Sequence, residues 1–155
     1  MTWNEAIENY ANYLRFEKNA SENTIEAYVS DLQKLQNFAE QNLASVTPIT
    51  ISYEHLQEFL YQVSKINYSE RTQARWISSI KGFFSFLLED ELREDNPSAL
   101  LETPKLGLYL PDTLSLEEIE KLISATEENT DLAKRNRCMI EVLYGCGLRV
   151  SELTE

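Results

Sequence analysis

Arg149 and Glu152 stand three residues apart in the segment Gly147-Leu-Arg-Val-Ser-Glu-Leu153. An apolar helical stretch, Met139 to Tyr144, runs into a glycine break just before them. A guanidinium in that place can hold a phosphate through two parallel hydrogen bonds. A helix starting at the same point would add free backbone N–H groups and the positive end of its dipole. Glu152 would keep the guanidinium in position. The same spacing also describes an ordinary i, i+3 ion pair, and spacing alone leaves the two readings even. Only six residues follow Arg149 in the 155-residue chain. The simplest reading of an arginine framed this way is an active-site segment cut from a longer enzyme.

A second cluster lies earlier. Between Arg71 and Phe86 the sequence contains no Asp or Glu, in a chain with 26 of them. Trp76, Ile77, Ile80, Phe83, Phe84, Leu87 and Leu88 recur at the spacing of a buried helical stripe. The opposite side carries Arg71, Arg75, Ser78, Gly82 and Ser85, with Lys81 on its flank. Arginine and serine bind phosphate, and arginine also reads guanine edges. Ser78, Ser79 and Gly82 would let a backbone approach a grooved partner closely. Glycine costs up to about 1 kcal/mol inside a helix, so Gly82 calls for a packing or contact reason. The competing reading is a solvated face that happens to be basic. Thr24 and Lys34 mark a weaker surface on an earlier helix, interrupted by Glu26 and Asp31.

The elements that must position these residues are helical nearly throughout. Thr2 and Glu5 form a capping box ahead of Trp3, Ala6, Ile7, Tyr10 and Leu14. Ser21 or Asn23 caps a second helix with Ile25, Tyr28, Val29, Leu32, Leu35 and Phe38 inside. Residues 43–51 are β-branched, contain Pro48, and read as an extended loop. Ser52 caps a third helix through Leu56, Phe59, Leu60 and Val63, and the fourth runs over 71–89. Asn96-Pro97 opens a short helical turn ending near Thr103. Pro104, Gly107 and Pro111 mark a linker. Ser115 and Glu118 cap a helix through Ile119, Leu122 and Ile123, and a last helix covers about 132–144. The predicted organisation is a bundle over 1–100, a linker over 101–112, and the opening of a second domain over 113–155. Ile140, Leu143, Leu148 and Leu153 of that second domain should stay partly exposed.

The net charge of −12 opposes non-specific binding to nucleic acid, without excluding a local basic face. No signal peptide or run of about 18 apolar residues is present. Cys138 and Cys146 lack metal or redox spacing and read as buried packing in a reduced, cytoplasmic protein.

The residues together resemble the N-terminal half of Xer-type tyrosine recombinases, the integrase family. Residues 147–153 resemble the family's first catalytic box, which carries the first of two active-site arginines. Ser21-Glu-Asn-Thr-Ile-Glu-Ala-Tyr28 with Asp31-Leu32 resembles the opening of its DNA core-binding domain. Arg75 to Leu88, Asp95-Asn-Pro97, Pro104-Lys105, Leu110-Pro111, Leu114-Ser115 and Arg135-Asn-Arg137 follow in family order. The resemblance implies an all-α chain: a SAM-like four-helix core-binding bundle, then the first helices of a truncated catalytic domain. It implies strand breakage and rejoining through a 3′-phosphotyrosyl link, with duplex DNA held between two domains. On that basis Arg149 would contact a scissile-phosphate oxygen, and Glu152 would support it from behind. Arg71, Arg75, Ser78, Lys81, Thr24 and Lys34 would contact DNA. Neither metal nor other cofactor, membrane nor small-molecule substrate is expected. The parent would act as a tetramer on DNA, and the chain alone would be a monomer or weak dimer.

The departures bear on activity. The family's lysine, His-x-x-Arg pair, later histidine or tryptophan, and tyrosine nucleophile all follow the first arginine. None of the residues after Arg149 is Lys, His, Arg or Tyr, and all eight tyrosines precede it. His55 reads as an ordinary, partly exposed helix residue. Trp76 stands where a second basic residue is common. The expected chain is thus at most a DNA-binding module, without recombination of its own. The alternatives are a naturally short, catalytically silent DNA-binding module and a helical protein-interaction domain without DNA binding.

Overall fold

Side-chain caps set where the helices begin. In the computed structural model, which describes residues 1–66, 68–104, 107, 112–126 and 130–154, Thr2 and Glu5 close a reciprocal box at 2.7 and 3.3 Å ahead of α1 (Trp3–Phe16). Ser21, rather than Asn23, caps α2 (Glu22–Asn42), accepting from the Thr24 N–H at 3.3 Å. At the head of α3 (Tyr53–Ser64), the Ser52 N–H donates to His55 Nδ1 at 3.2 Å. Ser69 caps α4 (Glu70–Glu89). A Ser115–Glu118 box opens α5 (Leu116–Ser124), and Thr130 caps α6 (Asp131–Cys146). The five-residue α7 (Val150–Thr154) follows. Each cap satisfies N–H groups that have no partner within the helix. Among the described residues there is no strand, and the architecture is all-helical.

The chain divides into two compact units, Met1–Gly107 and Leu108–Glu155. In the first, α1 to α4 enclose one core, with Trp76, Ile77, Ile80, Phe83, Phe84 and Leu87 of α4 buried against α1, α2 and α3. Trp3 stacks on Phe83, and Tyr10 meets the same ring edge-on with centroids 5.6 Å apart. Offset and edge-on geometries suit the ring quadrupoles. Two positions of α4 differ from the expected stripe: Phe86 is buried against Tyr10 and Tyr13, whereas Leu88 is exposed. A helix covered by neighbours on two adjacent sides buries more than one stripe.

Three further expectations need correction. Residues 47–51 are not extended. The N–H groups of Thr50 and Ile51 both return to the Thr47 carbonyl at 3.1 and 3.0 Å, and Pro48 sits where a missing N–H costs nothing. Asn96-Pro97 starts only a turn over 97–100, capped by the Asn96 side chain on the Ser98 N–H at 2.9 Å. Cys138 and Cys146 are exposed, not packed inside, because α6 has little around it to bury them. Of the linker residues, 105, 106 and 108–111 lie outside the described part.

Arg93 is buried at 7 % exposure. Its Nη1 donates to the carbonyls of Pro48 and Ile51 at 2.8 and 3.1 Å, and its Nη2 to Asp95 at 2.9 Å. It thereby ties the 47–51 turn to the chain beyond α4 and fills carbonyls that α3 does not use.

In the second unit α5 packs on α6 and α6 on α7. Ile140, Leu143, Leu148 and Leu153 are half-buried, as their lack of apolar neighbours requires.

Candidate nucleic-acid interface and the Arg149 site

The exposed side of α4 follows from the same periodicity as its core side. Arg71 and Ser78 are exposed, and Lys81 and Ser85 half-exposed, at steps of seven, three and four residues along one strip. No carboxylate lies on this strip, and neither Arg71 nor Lys81 has an ion-pair partner among the described residues. The Ser78 hydroxyl turns back to the Ala74 carbonyl at 2.9 Å and keeps its acceptor capacity.

Gly82 and Ser79 do not belong to this strip. A Cβ on Gly82 would collide with the Tyr10 hydroxyl, so the glycine lets α1 and α4 approach. Burial pushes the Tyr10 hydroxyl pKa up, so the group stays neutral where α4 covers it. Ser79 is fully buried and donates to the Trp76 carbonyl and to Asp31 Oδ2. Of the three small residues, Ser78 is exposed, Gly82 is half-exposed beside Tyr10, and Ser79 is buried.

Arg75 lies at the edge of α4 toward α2. Its Nη1 is 3.0 Å from Asp31 Oδ2 and donates to the Ala27 carbonyl at 3.2 Å. Asp31 therefore does not interrupt the polar face of α2: its side chain is wholly inaccessible, between α2 and α4. Burial raises the Asp31 pKa, and the charges of Arg75 and Lys34 with the Trp76 and Ser79 side chains pull it back. The Trp76 indole N–H contributes to that field without a fully formed hydrogen bond of its own. Lys34 Nζ sits 3.8 Å from Asp31 and 4.9 Å from the centre of the Trp76 ring, a cation over an aromatic face. Thr24 is half-buried at the start of α2, its hydroxyl 2.8 Å from Ser21. Arg75 and Lys34 thus meet at the α2–α4 junction, Arg71, Ser78 and Lys81 lie on the exposed side of α4, and Thr24 is taken up by the cap.

Sequence reading missed Asp31, Ser79 and Arg93 as structural polar groups. The signal for Asp31 was present: it falls three residues after Tyr28 and four before Leu35, inside the buried stripe of α2.

In the second unit Gly147 closes α6 in the left-handed conformation (φ 63°), and the Leu148 N–H returns to the Leu143 carbonyl at 3.1 Å. Arg149 then precedes α7. Glu152 serves it twice: Oε2 accepts the Arg149 backbone N–H at 2.7 Å, and Oε1 meets Nη1 at 3.1 Å. The Arg149 side chain is 83 % exposed, so most of its donors face solvent. The Arg149 N–H is already committed to Glu152, which leaves the guanidinium as the main group for a ligand. His55, half-buried, is occupied as the partner of the Ser52 N–H. Among the described residues no cluster of His, Cys, Asp and Glu is placed to hold a metal ion. No helix there is long and apolar enough to cross a membrane.

Each of the two helical units has a counterpart among known proteins. Residues 7–91 match the phage integrase N-terminal SAM-like domain and residues 112–155 the phage integrase family. The chain belongs to the phage integrase family, with a SAM-like N-terminal domain and the start of the integrase catalytic domain. It is 39 % identical over 147 residues to a tyrosine recombinase XerD of Vibrio cholerae, covering 95 % of this chain and 48 % of that protein. It is 38 % identical over 148 residues to tyrosine recombinase XerD of Oceanobacillus iheyensis, covering 96 % and 50 %. The chain spans about half the length of the curated relatives it matches. The fold is shared with the integrase of mycobacterium phage Brujita (TM-score 0.60, 23 % identity, 94 % of this chain and 46 % of that one). It is also shared with the Tn1549 transposon integrase in complex with circular intermediate DNA (TM-score 0.62, 21 % identity, 95 % and 47 %).

Proposed function

We propose that these residues serve a site-specific tyrosine recombinase that breaks and rejoins duplex DNA. The exposed side of α4 and its junction with α2 grip the DNA backbone through Arg71, Arg75, Lys81 and Lys34, with Ser78 as an uncharged phosphate ligand. Thr24 is the least available of the contacts, since its hydroxyl serves the α2 cap. Arg149 supports a non-bridging oxygen of the scissile phosphate. Glu152 fixes the backbone and guanidinium of Arg149 together, as a positioning residue. Charge stabilisation of that kind is commonly among the largest catalytic contributions.

The observation that carries this reading is the carboxylate-free strip of α4 in a chain of net charge −12. An acidic protein that keeps one helix face clear of acids for about four turns, from Arg71 to Ser85, has a local use for positive charge. The reaction needs a lysine, further histidine and arginine groups and a tyrosine nucleophile. None of these follows Arg149 in these 155 residues. The chain alone therefore binds DNA without recombining it. A cytoplasmic setting and a tetramer on DNA belong to the same proposal.

The test is a titration of labelled duplex with increasing salt. Measurable binding at about 20 mM salt, weakening linearly on a log–log plot, is expected, because each phosphate contact adds roughly 0.9 to the slope. Arg71→Ala with Lys81→Ala should lower that slope by roughly two. No binding at the lowest salt would remove the DNA role of this chain.

A further inference from the structure

Arg75 is tethered by one corner. Both of its inward contacts, to Asp31 Oδ2 at 3.0 Å and to the Ala27 carbonyl at 3.2 Å, use Nη1. Among the described residues nothing takes Nε or Nη2, and the side chain is 37 % exposed. Nε and Nη2 form one planar edge of the guanidinium, the edge that pairs with two oxygens of a phosphate. A free surface arginine gives up side-chain entropy on binding, and one already fixed gives up less.

Asp31 is an expensive way to fix it. The carboxylate is wholly removed from solvent and Oδ1 has no hydrogen-bond partner. Burial raises its pKa despite Arg75 and Lys34. A buried ion pair of this kind is a weak source of stability. What distinguishes Asp31 is its position: one carboxylate on α2 touches Arg75 across the helix interface and draws in Lys34, whose ammonium is held over Trp76.

We propose that Asp31 is the positioning residue of the DNA-binding surface, holding Arg75 by Nη1 so that its Nε–Nη2 edge faces a backbone phosphate. This rests on the DNA reading above. Electrostatics and positioning make opposite predictions for its removal. Asp31→Asn makes the protein one unit less acidic, which by charge alone tightens DNA binding. Loss of positioning weakens it.

The experiment measures affinity of the 155-residue chain for a short random-sequence duplex at low salt, for the wild type, Asp31→Asn, Arg75→Ala and the double variant. Helical content and melting temperature are recorded for each. Asp31→Asn is expected to weaken binding about tenfold, the size of a lost phosphate or base fork. It should cause no further weakening in the Arg75→Ala background. In the free protein, the Arg75 Nε–H resonance should be sharp for the wild type and broadened or lost in Asp31→Asn. Arg75→Lys keeps the charge without the fork, and weakening of similar size supports the proposal even where Asp31→Asn folds poorly. Binding by Asp31→Asn as tight as wild type or tighter, losses that multiply in the double variant, or wild-type binding by Arg75→Lys would overturn it. Failure of the wild type to bind any duplex would instead sink the DNA reading, and this proposal with it.

Discussion

The two units of this chain treat apolar residues in opposite ways. Met1–Gly107 closes a core in which Leu32, Leu35, Leu56, Ile80, Phe83, Phe84 and Leu87 are fully buried. In the described part of Leu108–Glu155, Ala133 alone is buried, while Leu114, Leu116, Leu122, Leu132, Met139, Tyr144 and Val150 are exposed. Both units have well-capped helices with apolar periodicity. Capping and amphipathicity therefore make a helix without making a core. Stability comes from the partner surface, which α1 to α4 supply to each other far more fully than the described parts of α5 to α7 do. The electrostatic contrast runs the same way. Arg75 is anchored across a helix interface, whereas among the described residues Arg149 is held by its own neighbour three residues on.

The largest break in this contrast should come from paired truncations. Phe83→Ala removes a ring packed on Trp3, Tyr10 and Phe84 and should cost about 3–5 kcal/mol in denaturant unfolding followed by tryptophan fluorescence. Leu143→Ala, at a half-buried site, should cost under about 1 kcal/mol when loss of helix is followed by circular dichroism, since Trp3 and Trp76 both lie in the first unit. Equal losses would mean that the second unit has a core after all. An intermediate effect is expected at the α1–α4 contact. Gly82→Ala should destabilise by about 1–3 kcal/mol by overpacking against Tyr10, outweighing the gain of about 1 kcal/mol in helix propensity. A stabilised variant would place Gly82 on the solvent strip.

The smallest effect concerns the buried carboxylate. The folded-state pKa of Asp31 is raised, first by burial, so a proton on it favours the folded state. That contribution is fully present below the unfolded-state pKa and is lost as pH rises through the folded one. The wild type should therefore gain stability relative to Asp31→Asn as pH falls from neutral into the acid range. At neutral pH the variant should melt no lower than wild type, because Arg75, left behind, is still partly solvated. Parallel melting curves across pH would show that Asp31 does not titrate with folding.

Local relations were legible before any fold was known. Thr2–Glu5, Ser115–Glu118 and Arg149–Glu152 each join residues three apart, so a helical reading alone brings them together. The α4 core stripe and the acid-free strip were legible for the same reason. The turn at 47–51 was not, because β-branched residues suggest extension until Pro48 is seen beginning a turn whose carbonyls Arg93 fills from 45 and 42 residues away. Exposure of Cys138 and Cys146 was missed because burial depends on what covers a helix, not on residue type.

Sequence by itself determined the helices, their caps, the family and the arginine held by Glu152, since all of these are written in short-range spacing and ordered motifs. Tertiary structure alone decided that Gly82 serves Tyr10 rather than a ligand, that Asp31 lies inside, and which edge of Arg75 stays open. Those outcomes depend on which helices pack together, and Asp31 and Ser79, like Ala27 and Arg75, meet across 48 residues of chain. No local pattern encodes a contact at that separation. It exists only once the bundle has closed.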